Sequence, residues 1–343
     1  MIFVGDIALP HKNAITFQNF PNHLQGKNWF GNLEGGIVQY DENKQFAVYN
    51  HREAIEELIH EFNFKGFALA NNHVLDSGTI ISSLNFLDQM GINHVGAGIN
   101  LQDAQQELRV EEDGVQLILV NFGWEVIQCV IADENNEGVN PLQRHHVLST
   151  VLSLAGKYPN AKVIAFMHWS YELEREPQPF ERELARKMID LGAAGVIGSH
   201  PHRVGGYEKY KGKPILYCLG NWMFKQNHYF DGKLRFPDFC SKQLAFEWDF
   251  SSDTFQFHFF DYDRNSSSLT FIETTGEEAM LSYTPFSGLS SSEYEKWYRI
   301  NHFHKNKGLP IYYWDDSDAM IRMKNRWMKI RDKVMKLVLN KGK

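Results

Sequence analysis

The histidines at positions 200 and 202 are the side chains in this sequence whose type and spacing most clearly suggest chemistry. They lie in the stretch GSHPH at positions 198–202, directly after the apolar run 193–197. Pro201 fixes its own φ and removes a backbone donor, which restricts the directions of the two flanking rings. An extended or tightly turned segment with this spacing can direct both imidazoles into one cavity, where they would bind a metal ion. A histidine pair can equally well cap a strand, so further donors must decide between the two interpretations.

Other oxygen and nitrogen donors follow apolar runs elsewhere in the chain. Together with the histidine pair, the donor set is Asp6, Glu34, Asn72, His73, His168, His200 and His202. Carboxylate, amide and imidazole ligands suit Mn²⁺, Fe²⁺ or Zn²⁺ better than Ca²⁺ or a thiolate zinc site. Two ions about 3.5–4 Å apart need one bridging carboxylate and several further ligands, which this set can supply. Such a pair lowers the pKa of a shared water and neutralises charge on a transferring phosphoryl group. The sequence therefore predicts two divalent metal ions, Mn, Fe or Zn, as cofactors.

The elements that must position these donors alternate between apolar strands, functional loops and helices from residue 1 to about 225. Strands are predicted at 2–4, 66–70, 115–122, 161–167 and 194–197, and helices at 53–62, 79–90, 145–157 and 180–191. Continuous apolar strands are typical of sheets that are covered on both faces. The carboxyl ends of such strands present functional groups at one sheet edge. The pattern predicts an α/β fold with its site along that edge.

The chain changes character after Asn221. Alternating segments at 244–250 and 255–260 predict a hairpin, and 269–273 predicts a third strand. We therefore expect one domain over 1–275, with the motifs within 1–225 and a C-terminal β extension over 240–275. A C-terminal loop and helical tail would follow over 276–343.

Composition places the 343-residue chain among ordinary globular proteins, since 43% of its residues are hydrophobic and 22% are charged. No apolar run is long enough for a transmembrane helix, and we expect no signal peptide, because the strand-like 2–4 follows Met1 directly. The three cysteines are scattered, which favours reduced thiols over a disulfide framework. These features predict a cytoplasmic protein, with a peripheral position at the inner face of the membrane as an open alternative.

The charge is distributed unevenly. Residues 320–343 contain nine Lys and Arg against Asp332 alone, a local charge of +8; because the total is −7, the rest carries −15. An acidic body argues against nucleic acid as a partner, because phosphate backbones need a basic surface. The basic tail also carries apolar residues at 3–4 spacing, namely Met320, Met323, Trp327, Ile330, Val334 and Leu337. This basic amphipathic helix can pack on the domain, contact a membrane surface, or mediate a dimer or partner contact. The sequence leaves the oligomeric state open.

The order of the short motifs GD, NLE, NNH, HW, SHPH and GN, spread over 1 to about 225, resembles one known family. It is similar to the CapA-like branch (PGA_cap, bacterial capsule or poly-γ-glutamate synthesis) of the calcineurin-like metallophosphoesterases. The resemblance implies a four-layer α/β/β/α sandwich with a dinuclear metal site at one sheet edge.

The resemblance also implies roles for the donors. Asp6, Glu34 and His202 would hold one metal ion. Glu34, Asn72, His168 and His200 would hold the other, which makes Glu34 the bridge. His73 would protonate the leaving oxygen, a role that suits imidazole near neutral pH. Asp76 can orient His73 by a hydrogen bond, although it can equally well act as a helix N-cap.

Two positions depart from the usual phosphoesterase pattern, and both departures look typical of the CapA-like branch. Ala8 stands where the usual Asp-x-His opening has its histidine, and Glu34 replaces the bridging aspartate. One metal ion is thereby left with fewer ligands, so a single-metal site is the alternative to a dinuclear one.

Four further residues are candidates for substrate binding, namely Asn32, Trp169, Arg203 and Asn221. Each also has a structural explanation: Trp169 can pack in a wall, Arg203 can be a solvated charge, and Asn221 can support the site. From the resemblance we expect a metal-dependent phosphoesterase-like hydrolase, with a phosphorylated sugar, glycan or lipid-linked intermediate of cell-surface polymer synthesis as substrate. The rival hypotheses are poly-γ-glutamate synthesis or amide hydrolysis by the same metals, and a non-catalytic component of a capsule assembly complex.

Overall fold

The computed structural model describes residues 1–39, 47–305 and 307–341. The strands are β1 (Ile2–Ala8), β2 (Thr16–Gln18), β3 (Asn28–Leu33), β4 (Gly36–Val38), β5 (Tyr49–His51), β6 (Asn63–Ala68), β7 (Asn93–Val95), β8 (Ala97–Gly98), β9 (Leu108–Glu112), β10 (Val115–Gly123), β11 (Gly138–Val139), β12 (Lys162–His168), β13 (Ala193–Ser199), β14 (Tyr207–Tyr210), β15 (Lys213–Leu216), β16 (Asn221–Phe224), β17 (Lys242–Asp249), β18 (Thr254–Asp263) and β19 (Ser268–Thr275). The helices are α1 (Arg52–Glu61), α2 (Ile81–Gln89), α3 (Leu101–Ala104), α4 (Arg144–Lys157), α5 (Pro179–Asp190), α6 (Tyr229–Gly232), α7 (Ser291–Asn301) and α8 (Asp318–Lys341).

The larger sheet is organised around β1. Its strand order is β2-β19-β18-β17-β1-β3-β6-β7, and β16 also pairs with β1. Strand β1 runs parallel to β3 and β16 and antiparallel to β17. In this register Asp6 lies opposite both Asn32 and Asn221. Three polar residues from distant parts of the sequence therefore meet at one level of the sheet.

The second sheet has the order β14-β15-β13-β12-β10-β9. Its four central strands run parallel, and β14 and β9 are antiparallel at the two edges. His168 at the end of β12 lies opposite Ser199 at the end of β13. The histidine pair follows Ser199 directly, so all three imidazoles lie at the carboxyl edge of this sheet, as the sequence pattern predicts.

The two sheets face each other across a core of aromatic and aliphatic side chains. Phe30 of β3 and Phe166 of β12 meet there, with ring centroids 5.6 Å apart. Val163 and Met167 on the other face of β12 belong to the cluster that includes buried residues of α4 and α5. Helices α1 and α2 cover β6 and β7 of the larger sheet. The expected four-layer α/β/β/α arrangement is therefore confirmed.

The C-terminal third completes this framework. The three strands expected as a C-terminal β extension are present as β17, β18 and β19, and they belong to the same sheet as β1. Helix α7 packs on α5, and the backbone N–H of Phe180 donates to the carbonyl of Tyr312 at 3.0 Å. The expected basic C-terminal helix is α8. Within the described part of the chain, no helix combines the length and the hydropathy that crossing a bilayer would require.

Candidate metal centre

The loop after β13 holds the histidine pair in an unusual backbone conformation. His200 has a φ of 95° and His202 a φ of 59°, a region that residues with a side chain rarely adopt. Pro201 lies between them. Such strain persists only where the surrounding structure enforces it, and it clusters at functional sites. Here it turns both rings towards the carboxyl edge of the larger sheet, with ring centroids 5.8 Å apart.

Two buried carboxylates lie at the same edge. Asp6 lies within β1, two residues before its end, and Glu34 follows β3 directly. The side-chain amide of Asn32 donates to Asp6 Oδ1 at 2.8 Å and lies 3.5 Å from Glu34 Oε2. The backbone N–H of His200 lies 3.2 Å from Asp6 Oδ2. These donors fix the orientation of both acids, and the second oxygen of Glu34 is left without a hydrogen-bond partner.

The first group of candidate metal ligands is Asp6, Glu34 and His202, whose donor atoms all lie within 4.8 Å of one another. His202 Nδ1 lies 2.9 Å from Asn221 Oδ1 and 3.2 Å from Asp6 Oδ2. Both neighbours are acceptors, so Nδ1 carries the proton. In the neutral ring that a metal ion would bind, Nε2 would present its lone pair towards Glu34 Oε1, which is 3.9 Å away. A histidine whose other nitrogen donates to an oxygen is the usual arrangement in metal sites.

The second group is Glu34, His168 and His200, which satisfies the same distance limit. His168 Nδ1 lies 2.9 Å from Ser199 Oγ, whose hydroxyl donates to the Met167 carbonyl at 3.3 Å. In the tautomer that suits a metal ligand, Nδ1–H of His168 donates to Ser199 Oγ and Nε2 keeps its lone pair.

Asn72 completes this second group, because its Oδ1 lies 2.8 Å from His168 Nε2. Without a metal ion, a proton on Nε2 lets His168 donate to Asn72 Oδ1 at this distance, and a bound cation would take the place of that proton. His200 Nδ1 is also buried without a hydrogen-bond partner. The predicted ligands of the second metal ion thus converge.

The electrostatics of the cavity also favour a cation. Burial, followed by the charge of Asp6, raises the pKa of Glu34 well above its ordinary value. Burial lowers the pKa of His202, but the charges of Glu34 and Asp6 outweigh burial and raise it to about 10. Burial and the neighbouring imidazoles lower the pKa values of His168 and His200, which keeps these rings neutral and ready to act as ligands. These pKa shifts show that Asp6, Glu34 and His202 would share a proton in the absence of metal. A divalent ion could replace that proton and balance the charges of both carboxylates. The residues present therefore fit one or two divalent metal ions.

His73 lies at the opening of this cavity. Its Nδ1 contacts Asp76 Oδ2 at 2.7 Å, which is the first of the two roles considered for Asp76. His73 Nε2 faces inward, 3.9 Å from Glu34 Oε1. Asp76 also accepts from the backbone N–H of Val48 at 3.2 Å, so the carboxylate is held on two sides. The ring is 22% exposed, whereas His168, His200 and His202 are buried.

The four residues predicted to bind substrate lie in different surroundings. Asn32 and Asn221 are fully buried and hydrogen-bond to the candidate ligands, so they position Asp6, Glu34 and His202 and offer no surface to a substrate. Trp169 is also fully buried, and its Nε1 donates to the Tyr217 carbonyl at 2.9 Å. This burial corrects the prediction that these three side chains contact substrate.

Arg203 differs from the other three because it is only partly buried. Its guanidinium carbon lies 4.1 Å from the ring centre of Phe239 and 5.8 Å from that of Phe303. One guanidinium nitrogen lies 3.4 Å from the Leu173 carbonyl. Arg203 therefore remains the candidate for binding an anionic group.

Two positioning residues do not stand out in the sequence. Asn71 accepts from the backbone N–H groups of Gly35 and His73, and its amide donates to the Leu33 carbonyl at 2.8 Å. Asn50 accepts from the Leu9 N–H and donates to the Glu34 carbonyl, both at 2.9 Å. The doublet Asn71-Asn72 was the available signal for the first. No local pattern marks the second.

The departure at position 8 has a structural counterpart. Ala8 is fully buried in a cluster with Val48, Phe224, Tyr229 and Phe236. Ala8 therefore supplies apolar packing at the position where the usual phosphoesterase opening, Asp-x-His, has its histidine. As a result, the first group has three protein ligands and the second has four, including Asn72.

Comparisons with known proteins identify the family of this chain. The family model described as bacterial capsule synthesis protein PGA_cap matches residues 2–226. The PGA biosynthesis protein CapA of Bacillus subtilis is 30% identical over 204 residues, which are 57% of this chain and 53% of that protein. The capsule biosynthesis protein CapA of Bacillus anthracis is 29% identical over 245 residues, which are 66% of this chain and 60% of that protein. The chain thus spans between half and two thirds of the length of these relatives.

A solved structure, that of a 5'-nucleotidase precursor from Thermus thermophilus, also matches the chain. It has 14% sequence identity and a TM-score of 0.43, and the match covers 83% of this chain and 58% of that chain. The family model is the stronger finding, because its match runs from β1 through β16 and includes every candidate ligand. The chain therefore belongs to the PGA_cap family of bacterial capsule synthesis proteins.

Proposed function

We propose that this chain is a metal-dependent phosphoesterase-like hydrolase. Its substrate would be a phosphorylated sugar, glycan or lipid-linked intermediate in the synthesis of a capsule or another cell-surface polysaccharide. One observation carries the proposal: Glu34 Oε1 is buried without a hydrogen-bond partner, 3.9 Å from Nε2 of both His73 and His202. An acidic oxygen in that position is well placed to bridge two cations beside a proton donor.

The ligands would divide between two ions that share Glu34. Asp6 and His202 would complete the first site, and Asn72, His168 and His200 would complete the second. When bound, the ions would supply Lewis-acid activation of water and neutralise charge on the phosphoryl group. Asn32 and Asn221 hold the ligands of the first site in position, and Ser199 does the same for His168 in the second.

His73 would act on the leaving group. Because Asp76 holds Nδ1, the proton that this residue delivers is the one on Nε2, which faces the cavity. Proton transfer to the departing oxygen is needed most when that oxygen would otherwise leave as an unstable alkoxide. Sugar and lipid alcohols are leaving groups of this kind.

The family and the partly exposed Arg203 support the choice of substrate. Membership of the PGA_cap family favours a role in capsule synthesis. Arg203 directly follows the ligand His202, and its guanidinium is suited to a phosphate or carboxylate oxygen.

A second candidate function is the hydrolysis of an amide bond in a poly-γ-glutamate chain by the same metal ions. The name of the Bacillus subtilis relative, a PGA biosynthesis protein, favours this alternative. A γ-linked glutamate chain also carries the anionic groups that Arg203 could bind. If neither reaction occurs, the third alternative is a metal-binding component of an assembly complex without catalysis.

The test is an assay of the purified full chain loaded with Mn²⁺, Fe²⁺ or Zn²⁺. Phosphate release is measured on a panel of sugar, glycan and lipid phosphates, and poly-γ-glutamate cleavage is measured in parallel. We expect phosphate release that both Glu34→Gln and His73→Gln abolish or strongly reduce. The matched control is His94→Gln, because His94 is also 22% exposed and also contacts an aspartate, Asp88, at 3.1 Å.

The control should keep full activity. Cleavage of poly-γ-glutamate without phosphate release would support the second function instead. Stoichiometric metal binding without either reaction would contradict the hydrolase proposal.

A further inference from the structure

Helix α8 packs on the body of the protein along one side. Met328 is buried there, at 5% exposure. Lys329 forms an ion pair with Glu125 at 2.6 Å, and the hydroxyl of Tyr312 donates to Asn325 at 2.9 Å. These contacts fix which side of α8 faces the protein.

The opposite side of α8 carries an apolar stripe that the protein covers only in part. Its side chains are between 41% and 60% exposed. We define the apolar stripe as Met320, Met323, Trp327, Ile330 and Val334. Since each residue advances about 100° around a helix, the middle of the stripe lies roughly 170° from the side that carries Asn325, Met328 and Lys329. Packing of α8 on the domain therefore does not account for its most regular apolar pattern.

The side chain of Trp327 is held in this outward position. Its Nε1 donates to the Gly308 carbonyl at 2.9 Å, while half of the side chain stays exposed. A tryptophan with a satisfied N–H and an open ring is well suited to an interface between water and an apolar phase.

The charges beside the apolar stripe distinguish between two possible binding partners, a second copy of the chain and a negatively charged surface. Exposed Arg326 and Lys333 border it on one side. On the other side lie the partly exposed Arg331 and Lys324, and Lys324 is already ion-paired with Asp316. In a coiled coil with a second copy, these flanking positions would face one another across the seam. Both parallel and antiparallel pairing would then bring positive charges together, which opposes a dimer through this face. A negatively charged surface would attract Arg326, Lys333 and the partly exposed Arg331.

We propose that the apolar stripe of α8 docks the protein on the surface of an anionic lipid bilayer. The five apolar side chains would enter the boundary between headgroups and acyl chains, and the flanking cations would lie among the headgroups. The acidic remainder of the chain would face away from the lipid. This inference is independent of the proposed hydrolase activity.

The test uses the full chain and two kinds of vesicle, one of phosphatidylcholine alone and one with phosphatidylglycerol added. We expect co-sedimentation with the anionic vesicles only, and weaker binding at high salt, because added ions screen the attraction. Met323→Glu/Ile330→Glu should reduce the apparent affinity at least tenfold. The matched control is Leu152→Glu on α4, a 55% exposed apolar residue outside the stripe, and it should bind as the unmodified chain does.

A second variant, Arg326→Gln/Lys333→Gln, keeps the stripe and removes only charge. It should also bind more weakly, and its melting temperature should match that of the unmodified chain. Equal binding to the two kinds of vesicle would overturn the proposal, as would full binding by the stripe variant. A dimer in solution that the stripe variant abolishes would assign the face to a second copy and would equally overturn it.

Discussion

Replacing His73 should slow hydrolysis by an amount that depends on the leaving group. In the structure, Asp76 fixes Nδ1 at 2.7 Å and only Nε2 faces the cavity, so one proton donor is lost in His73→Gln. Loss of a general acid typically costs a factor of about 10² to 10⁴ in rate. This corresponds to roughly 3–5 kcal/mol of transition-state stabilisation. The full loss is expected for an alkyl or sugar phosphate, whose alcohol leaves poorly without a proton.

The assay compares kcat for such an ester with kcat for p-nitrophenyl phosphate, whose leaving group is stable as an anion. We expect less than a roughly tenfold effect on the aryl ester, because no proton is needed there. Metal content is measured on the same samples and should not change. Equal losses for both esters, or a loss of metal, would refute the assignment of His73 as the acid.

Three further predictions concern the residues around the site and the fold. Asn221→Ala should weaken metal binding or activity by about 10- to 100-fold, measured by metal titration, because His202 loses the acceptor that orients it. Burial raises the pKa of Glu181 from 4.5 to about 8, so its ionisation opposes folding. The free energy that protonated Glu181 contributes to folding is therefore fully present below its ordinary pKa and is lost as pH rises through 8. The difference in the free energy of unfolding between about pH 5 and pH 9, measured by denaturant titration, should be smaller in Glu181→Gln by on the order of 4 kcal/mol. Gly5→Ala would place a Cβ 1.8 Å from the Gly220 carbonyl oxygen and should lower the free energy of unfolding by about 1–3 kcal/mol, whereas an unchanged value would show that β1 and β16 can separate at no cost.

The local patterns were sufficient for most elements of the fold. The predicted helices at 145–157 and 180–191 correspond to α4 and α5 within one residue at each end. Their apolar faces are local signals, and α5 is also followed by the terminating Gly192. The helix predicted at 79–90 is shorter, Ile81–Gln89. The pairing of β17 with β1 could not be predicted, because strand partners far apart in sequence leave no local signal.

The candidate ligands were predictable because each one lies within, or no more than four residues after, the carboxyl-terminal part of a strand. The surrounding residues were predicted less well. Side chains alternate between the two faces of a strand, so Trp169 had to point away from the cavity once His168 pointed into it. The hydrogen bonds of Asn32 and Asn221 depend on the register of three strands, which the sequence does not contain.

The C-terminal helix α8 shows a second limit of prediction from the sequence. Periodicity identified the apolar residues of α8 but could not show which side of the helix meets the protein. The structure places the less regular residues, Met328 among them, against the domain and leaves the stripe exposed.

The central claim is that six side chains from distant positions hold divalent cations around Glu34. Anomalous diffraction from crystals soaked in Mn²⁺ tests it most directly. We predict two peaks about 3.5–4 Å apart, with Glu34 in contact with both, and the weaker peak next to Asp6 and His202. A cavity without an anomalous peak, or manganese bound without Glu34, would contradict the claim.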